Sequence, residues 1–157
     1  MKNSIAFYKT IAWAGFLVGL LDISGAFINF TISYHRNPVR VLYFIASGVW
    51  GKSAFSENPL MAFYGLVLHF IIAYLFTVFF FLIYPRVPIL SRNRIVTGIG
   101  YGLFIWLVMN LIVVPLSNTQ KFGFDLVSSL IDAGILMLAI GIPLSFIATA
   151  YYTGKSD

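Results

Sequence analysis

The strongest constraint in this chain is an uncharged run from Asn58 to Pro85, NPLMAFYGLVLHFIIAYLFTVFFFLIYP, set between Glu57 and Arg86. At 28 residues it exceeds the roughly 20 that a helix needs to cross a hydrocarbon core about 30 Å thick. Tyr84 and Pro85 close it, which suits an interfacial aromatic anchor followed by a helix stop. One titratable side chain lies inside, His69. The plainer reading is a packed neutral imidazole bonded to a neighbouring helix; the sharper one is a member of a buried polar site.

Three further apolar stretches extend the pattern. The 157 residues are 60% hydrophobic and only 10% charged, against about a quarter charged in soluble domains. The expected fold is all-α: a polytopic membrane protein with four transmembrane helices in one bundle, at about 11–30, 60–84, 95–115 and 124–147, forming a single domain over residues 1–157. Lys2 and Lys9 precede the first apolar stretch in the manner of a signal peptide. Asp22 would be unusual in such a segment, so a retained span is expected. Gly15-xxx-Gly19 and Gly98-xxx-Gly102 are spacings that let helices approach closely. Pro143 is expected to kink the last turns of the fourth span. Gly100-Tyr101-Gly102 superficially matches a potassium-filter core, but it opens a span after Arg92 and Arg94 and follows no pore helix.

The connection between spans one and two holds Arg40-VLYFIASGVWG-Lys52, too short to cross. It predicts a re-entrant or interfacial helix at about 39–52, started by Pro38 and broken at Gly48 or Gly51. Val41, Ile45 and Val49 share one face of it. A five-span topology is the alternative. With four spans, Lys2, Lys9, Arg86, Arg92, Arg94 and Lys155 lie on one side and Arg36, Arg40, Lys52 and Lys121 on the other. The six-to-four excess puts both termini in the cytoplasm. The net charge of +5 thus sits in short loops, as topology signals and contacts for anionic lipid, with no case for nucleic acid.

Intramembrane carboxylates are costly, about 2.5–3.5 kcal/mol each at the centre on insertion scales, yet the spans keep Asp22 and Asp132. With about 1.5 Å of rise per residue, Asp22, His69, Asn110 and Asp132 fall within about 6 Å of one depth, one from each helix. This layer admits four readings: a structural knot that fixes register, a proton or ion site, a ligand or lipid-headgroup site, and a metal site. The last is the weakest for want of charge. Arg40 and Lys52 flank the interfacial element and are candidate lid cations for the two carboxylates. A hydrolase triad from His69, Ser128 or Ser129 and an Asp lacks a strained nucleophile turn. With no cysteine, thiol chemistry is excluded, and no cofactor is expected. Phe79, Phe80 and Phe81 read as lipid-facing surface. Expected partners are the bilayer and either another membrane protein or a second copy.

Several strings together carry a resemblance: Ile45-Ala46-Ser47-Gly48 with Gly51 and Ala54-Phe55, Gly65-Leu66-x-Leu68-His69-Phe70, Tyr101-Gly102, Met109-Asn110 and Val114-Pro115-Leu116-Ser117. They resemble a widespread family of small uncharacterised bacterial inner-membrane proteins, with a more distant likeness to YagU-type proteins. The resemblance covers most of the chain and implies this fold and a place in the bacterial inner membrane. It implies no activity. The family pattern has a His where this chain has Asp132, a departure that changes the layer's charge and any metal preference.

Overall fold

The computed structural model describes residues 4–56, 58–119 and 126–154. It has four helices long and apolar enough to cross a membrane, and no strand among the described residues. They are α1 (Ser4–Tyr34), α3 (Pro59–Ile83, continued by a 3-10 turn to Arg86), α4 (Arg94–Leu116) and α5 (Leu126–Thr153). A shorter helix, α2 (Val39–Trp50), precedes α3. The chain is a multi-pass membrane protein. Helix α1, 31 residues long, extends beyond the expected span at both ends. The expected start of span four at 124 lies outside the described residues.

Local chemistry accounts for the boundaries. The side chain of Asn58 accepts from Leu60 N at 2.9 Å ahead of Pro59, so cap and first-turn proline start α3 together. Asn93 does the same for α4, accepting from Ile95 N and Val96 N at 3.0 and 3.2 Å. Helix α2 begins after Pro38 and ends at Gly51, whose φ of +59° lies in the region that glycine enters without strain. The short element thus falls where the sequence puts it. Its buried residues are Leu42, Ala46 and Ser47, with Val41 and Ile45 half-buried and Val49 exposed. The contact that decides this is with α3: the Leu42 backbone lies where a Cβ on Gly65 would be, 2.0 Å from its carbonyl oxygen. The far end of α2 is tied to the end of α4, with Asn118 N donating to Gly48 O and Asn118 Nδ2 to Val49 O, both at 3.0 Å.

Both α4 and α5 contain a π turn. Met109–Val113 closes with Val114 N on Met109 O, and Met137–Gly141 with Ile142 N on Met137 O. Each lies just before a proline, Pro115 or Pro143. A proline ring clashes with the carbonyl four residues back and offers no N–H to it; widening the preceding turn moves that carbonyl aside. The strain expected at Pro143 is therefore absorbed as a π turn.

The spans alternate in direction, which puts Ser4, Arg86, Arg94 and Thr153 at one end (the termini end) and α2 at the other. The dense core occupies the termini half: Ile11, Ala14, Val18, Phe80, Phe81, Tyr84, Tyr101, Ile105, Ile140, Leu144 and Ala148. Phe79 is exposed as expected, but Phe80 and Phe81 are fully buried, because consecutive helical positions are 100° apart and only one sector of α3 faces lipid. Backbones also meet between α4 and α5, where Cβ atoms on Gly98, Gly102 and Gly141 would all come within 2.6 Å of backbone of the facing helix. Gly15 and Gly19 face the Tyr74 and Phe70 rings of α3. Both small-residue spacings are helix contacts.

Candidate functional site

Toward the α2 end the bundle is less densely filled, and polar side chains collect there. Asp22, Gly25, Asn29 and Ser33 recur at three- and four-residue intervals, which puts them on one stripe of α1. That stripe faces α5: a Cβ on Gly25 would touch Ile135, and Asn29 Nδ2 donates to Asp132 Oδ1 at 3.3 Å. Ser33 Oγ donates to Asn29 Oδ1 at 3.0 Å. Asp132 is exposed, Asn29 partly buried, and Asp22, one to two turns deeper on α1, partly buried as well. Asp132 lies close enough to Asp22 to act on it electrostatically. The result is a polar seam or crevice along the α1–α5 contact, toward the α2 end.

His69 is buried beside it, and its Nε2 lies 2.8 Å from Gly19 O. A carbonyl only accepts, so Nε2 carries the proton and donates across the α1–α3 contact. Gly19 itself packs against α3, where an added Cβ would lie 2.8 Å from the Phe70 ring. The packed imidazole bonded to a neighbouring helix is thus the geometry present, with His69 one helix contact removed from the carboxyls.

Asn110 does not join the group. It is exposed and returns its Nδ2 to Trp106 O at 3.0 Å, within its own helix. Arg40, in the first turn of α2, and Lys52, on the α2–α3 connection, are both exposed. Asp132 is near enough to act on Asp22, and Asn29 is bonded to Asp132. The structure therefore brings two of the four layer residues together, puts a third against a backbone carbonyl nearby, and leaves the fourth bonded within its own helix. Sequence reasoning based on depth missed Asn29 and Ser33. Their signal was the seven-residue interval from Asp22 to Asn29, which returns to the same helix face.

Chemically, the crevice presents an excess of acceptors. Asp22 makes no side-chain hydrogen bond among the described residues, and Asp132 uses one oxygen on Asn29. No group of three or more His, Cys, Asp or Glu side chains able to hold a metal occurs among the described residues. Such a surface accepts N–H or O–H donors and cations. Inward from Asp22, Val18, Phe80, Ile105, Ile140 and Leu144 close the bundle. Fold and site together define a four-span helical membrane protein with a polar seam between α1 and α5. No family model, no curated protein and no solved structure matches the chain.

Proposed function

We propose that this chain is a binding or accessory protein of the bacterial inner membrane, with both termini in the cytoplasm and the Asp22–Asn29–Asp132 crevice open to the periplasmic side. The crevice recognises a cationic or hydrogen-bond-donating group on a small ligand, a lipid headgroup or a partner helix. The observations that support this are the Asn29–Asp132 contact, with Asp22 on the same stripe of α1, and the apolar core that fills the termini half. A transporter needs a route that continues. The basic excess on the termini side and the resemblance to small inner-membrane proteins support the placement.

Single-cysteine accessibility tests this, and the absence of native cysteine makes it clean. Cysteines replacing Ser33 and Asn29 react with an impermeant thiol reagent applied from the periplasmic side, and one replacing Val18 reacts from neither side. Reaction at Val18 from the cytoplasmic side would favour the alternative, a small proton or ion transporter. That alternative requires flux in proteoliposomes that Asp22→Asn abolishes.

A further inference from the structure

A second site lies at the opposite end of the molecule. The first turns of α1 meet the ends of α3 and α5 around an open pocket of about 310 Å³, lined by Ser4, Phe7, Tyr8, Pro85, Tyr151 and Tyr152. Its floor is a fixed aromatic plate. Phe7 packs edge-on to Phe81 and against Tyr151, and Tyr152 stacks on Tyr84 with centroids 5.5 Å apart. Tyr152 is pinned by donation to Phe81 O at 2.7 Å, and the Tyr84 and Thr149 hydroxyls bond at 2.6 Å.

The rim differs from the floor. The hydroxyls of Ser4 and Tyr8 have no hydrogen-bond partner among the described residues. Arg86 follows Pro85 directly, gives one N–H to Leu82 O, and carries its charge close enough to act on the Tyr152 phenol. A guanidinium has five N–H donors, so most of its capacity points elsewhere. The described charged residues at this end are Lys9, Arg86, Arg92 and Arg94, all basic. The pocket therefore combines hydroxyl donors and an aromatic floor with a positive charge next to its lining, at the depth where apolar helices meet their loops, which is headgroup level.

We propose that this pocket binds the phosphate headgroup of an anionic phospholipid. Arg86 and the Ser4 and Tyr8 hydroxyls donate to the phosphate, and the glycerol and first acyl carbons lie on the Phe7–Tyr151–Tyr152 floor. Planar guanidinium matches phosphate oxygens two at a time, and basic pockets between membrane helices are suited to anionic headgroups. A general aromatic belt, by contrast, needs neither a concavity built by three helices nor donors left over from the fold. The site is independent of the crevice at the other end, so either can fail without the other.

The test is lipid retention by the full chain, followed by native mass spectrometry and by titration with phosphatidylglycerol or phosphatidylcholine in mixed micelles. Phosphatidylglycerol is expected to bind preferentially, and Arg86→Gln to weaken it about fivefold. Arg92→Gln, which removes the same charge at the same end but outside the pocket, changes it less than about twofold. Because Arg86 also caps α3, the pair Ser4→Ala with Tyr8→Phe provides a readout without change of charge or capping, with an expected weakening of about threefold. Equal effects of Arg86→Gln and Arg92→Gln overturn the site in favour of diffuse charge, as does an unchanged affinity in the Ser4/Tyr8 pair. Displacement of bound lipid by millimolar inorganic phosphate would reassign the pocket to the free anion and overturn the lipid.

Discussion

Replacing Gly141 by Ala should be among the most damaging single-methyl changes in the molecule. The added Cβ would lie 2.0 Å from Gly98 O and 2.9 Å from Gly102 N, both backbone atoms of α4. Neither is the end of a flexible side chain, so the helices themselves must part. Moving from 2.0 Å to the 3.4 Å at which ordinary contact begins is a separation of about 1.4 Å. That opens gaps around Ile105, Ile140 and Leu144, which are buried on either side of the crossing. Overpacking of this kind costs typically 1–3 kcal/mol, offset by at most about 1 kcal/mol of helix propensity gained over glycine. Gly100→Ala supplies the control: it lies in the same α4 with nothing within 4 Å of its Cβ, so only the propensity term acts and stability should hold or rise slightly. Unfolding in mixed micelles, read as midpoint denaturant fraction, distinguishes them. Equal midpoints for the two variants would refute the argument that backbone contact at Gly98, Gly102 and Gly141 holds α4 to α5.

Three other outcomes are expected, two from the packing and one from the loop charges. Gly15→Leu should weaken assembly in detergent, because even a Cβ would approach the Tyr74 ring to 2.4 Å and Tyr74 is held by its bond to Ala12 O at 2.8 Å; an unchanged thermal midpoint would count against it. His69→Leu should cost only about 0.6 kcal/mol, the mean worth of an interhelical hydrogen bond in a membrane; a loss several times larger would give His69 a role beyond its bond to Gly19 O. A reporter fused after Asp157 should behave as a cytoplasmic tag, and labelling it from the periplasmic face would invert the orientation and the side on which the crevice opens.

Membrane insertion, the number of spans and the short helix before α3 were legible from residues alone. The bilayer makes long uncharged runs helical, and the residues that stop them are local: Asn58-Pro59, Asn93 and Gly51 act on their own turns. The close-packing glycines were legible from their spacing: Gly98 and Gly102 admit the backbone of α5, and Gly15 and Gly19 admit rings of α3. Rotation about each helix axis was not. Depth along the chain put Asn110 level with Asp22, but the sector of α4 turned toward α3 and α5 is set by Gly98, Gly102 and Tyr101, which leaves Asn110 outside. Similarly, Leu42 against Gly65 chose the face of α2, and Gly25 against Ile135 turned Asn29 toward Asp132. Hydropathy acts on each helix singly and is blind to its neighbours. Which polar groups meet is a property of pairs of helices in contact, and only the packed bundle contains it.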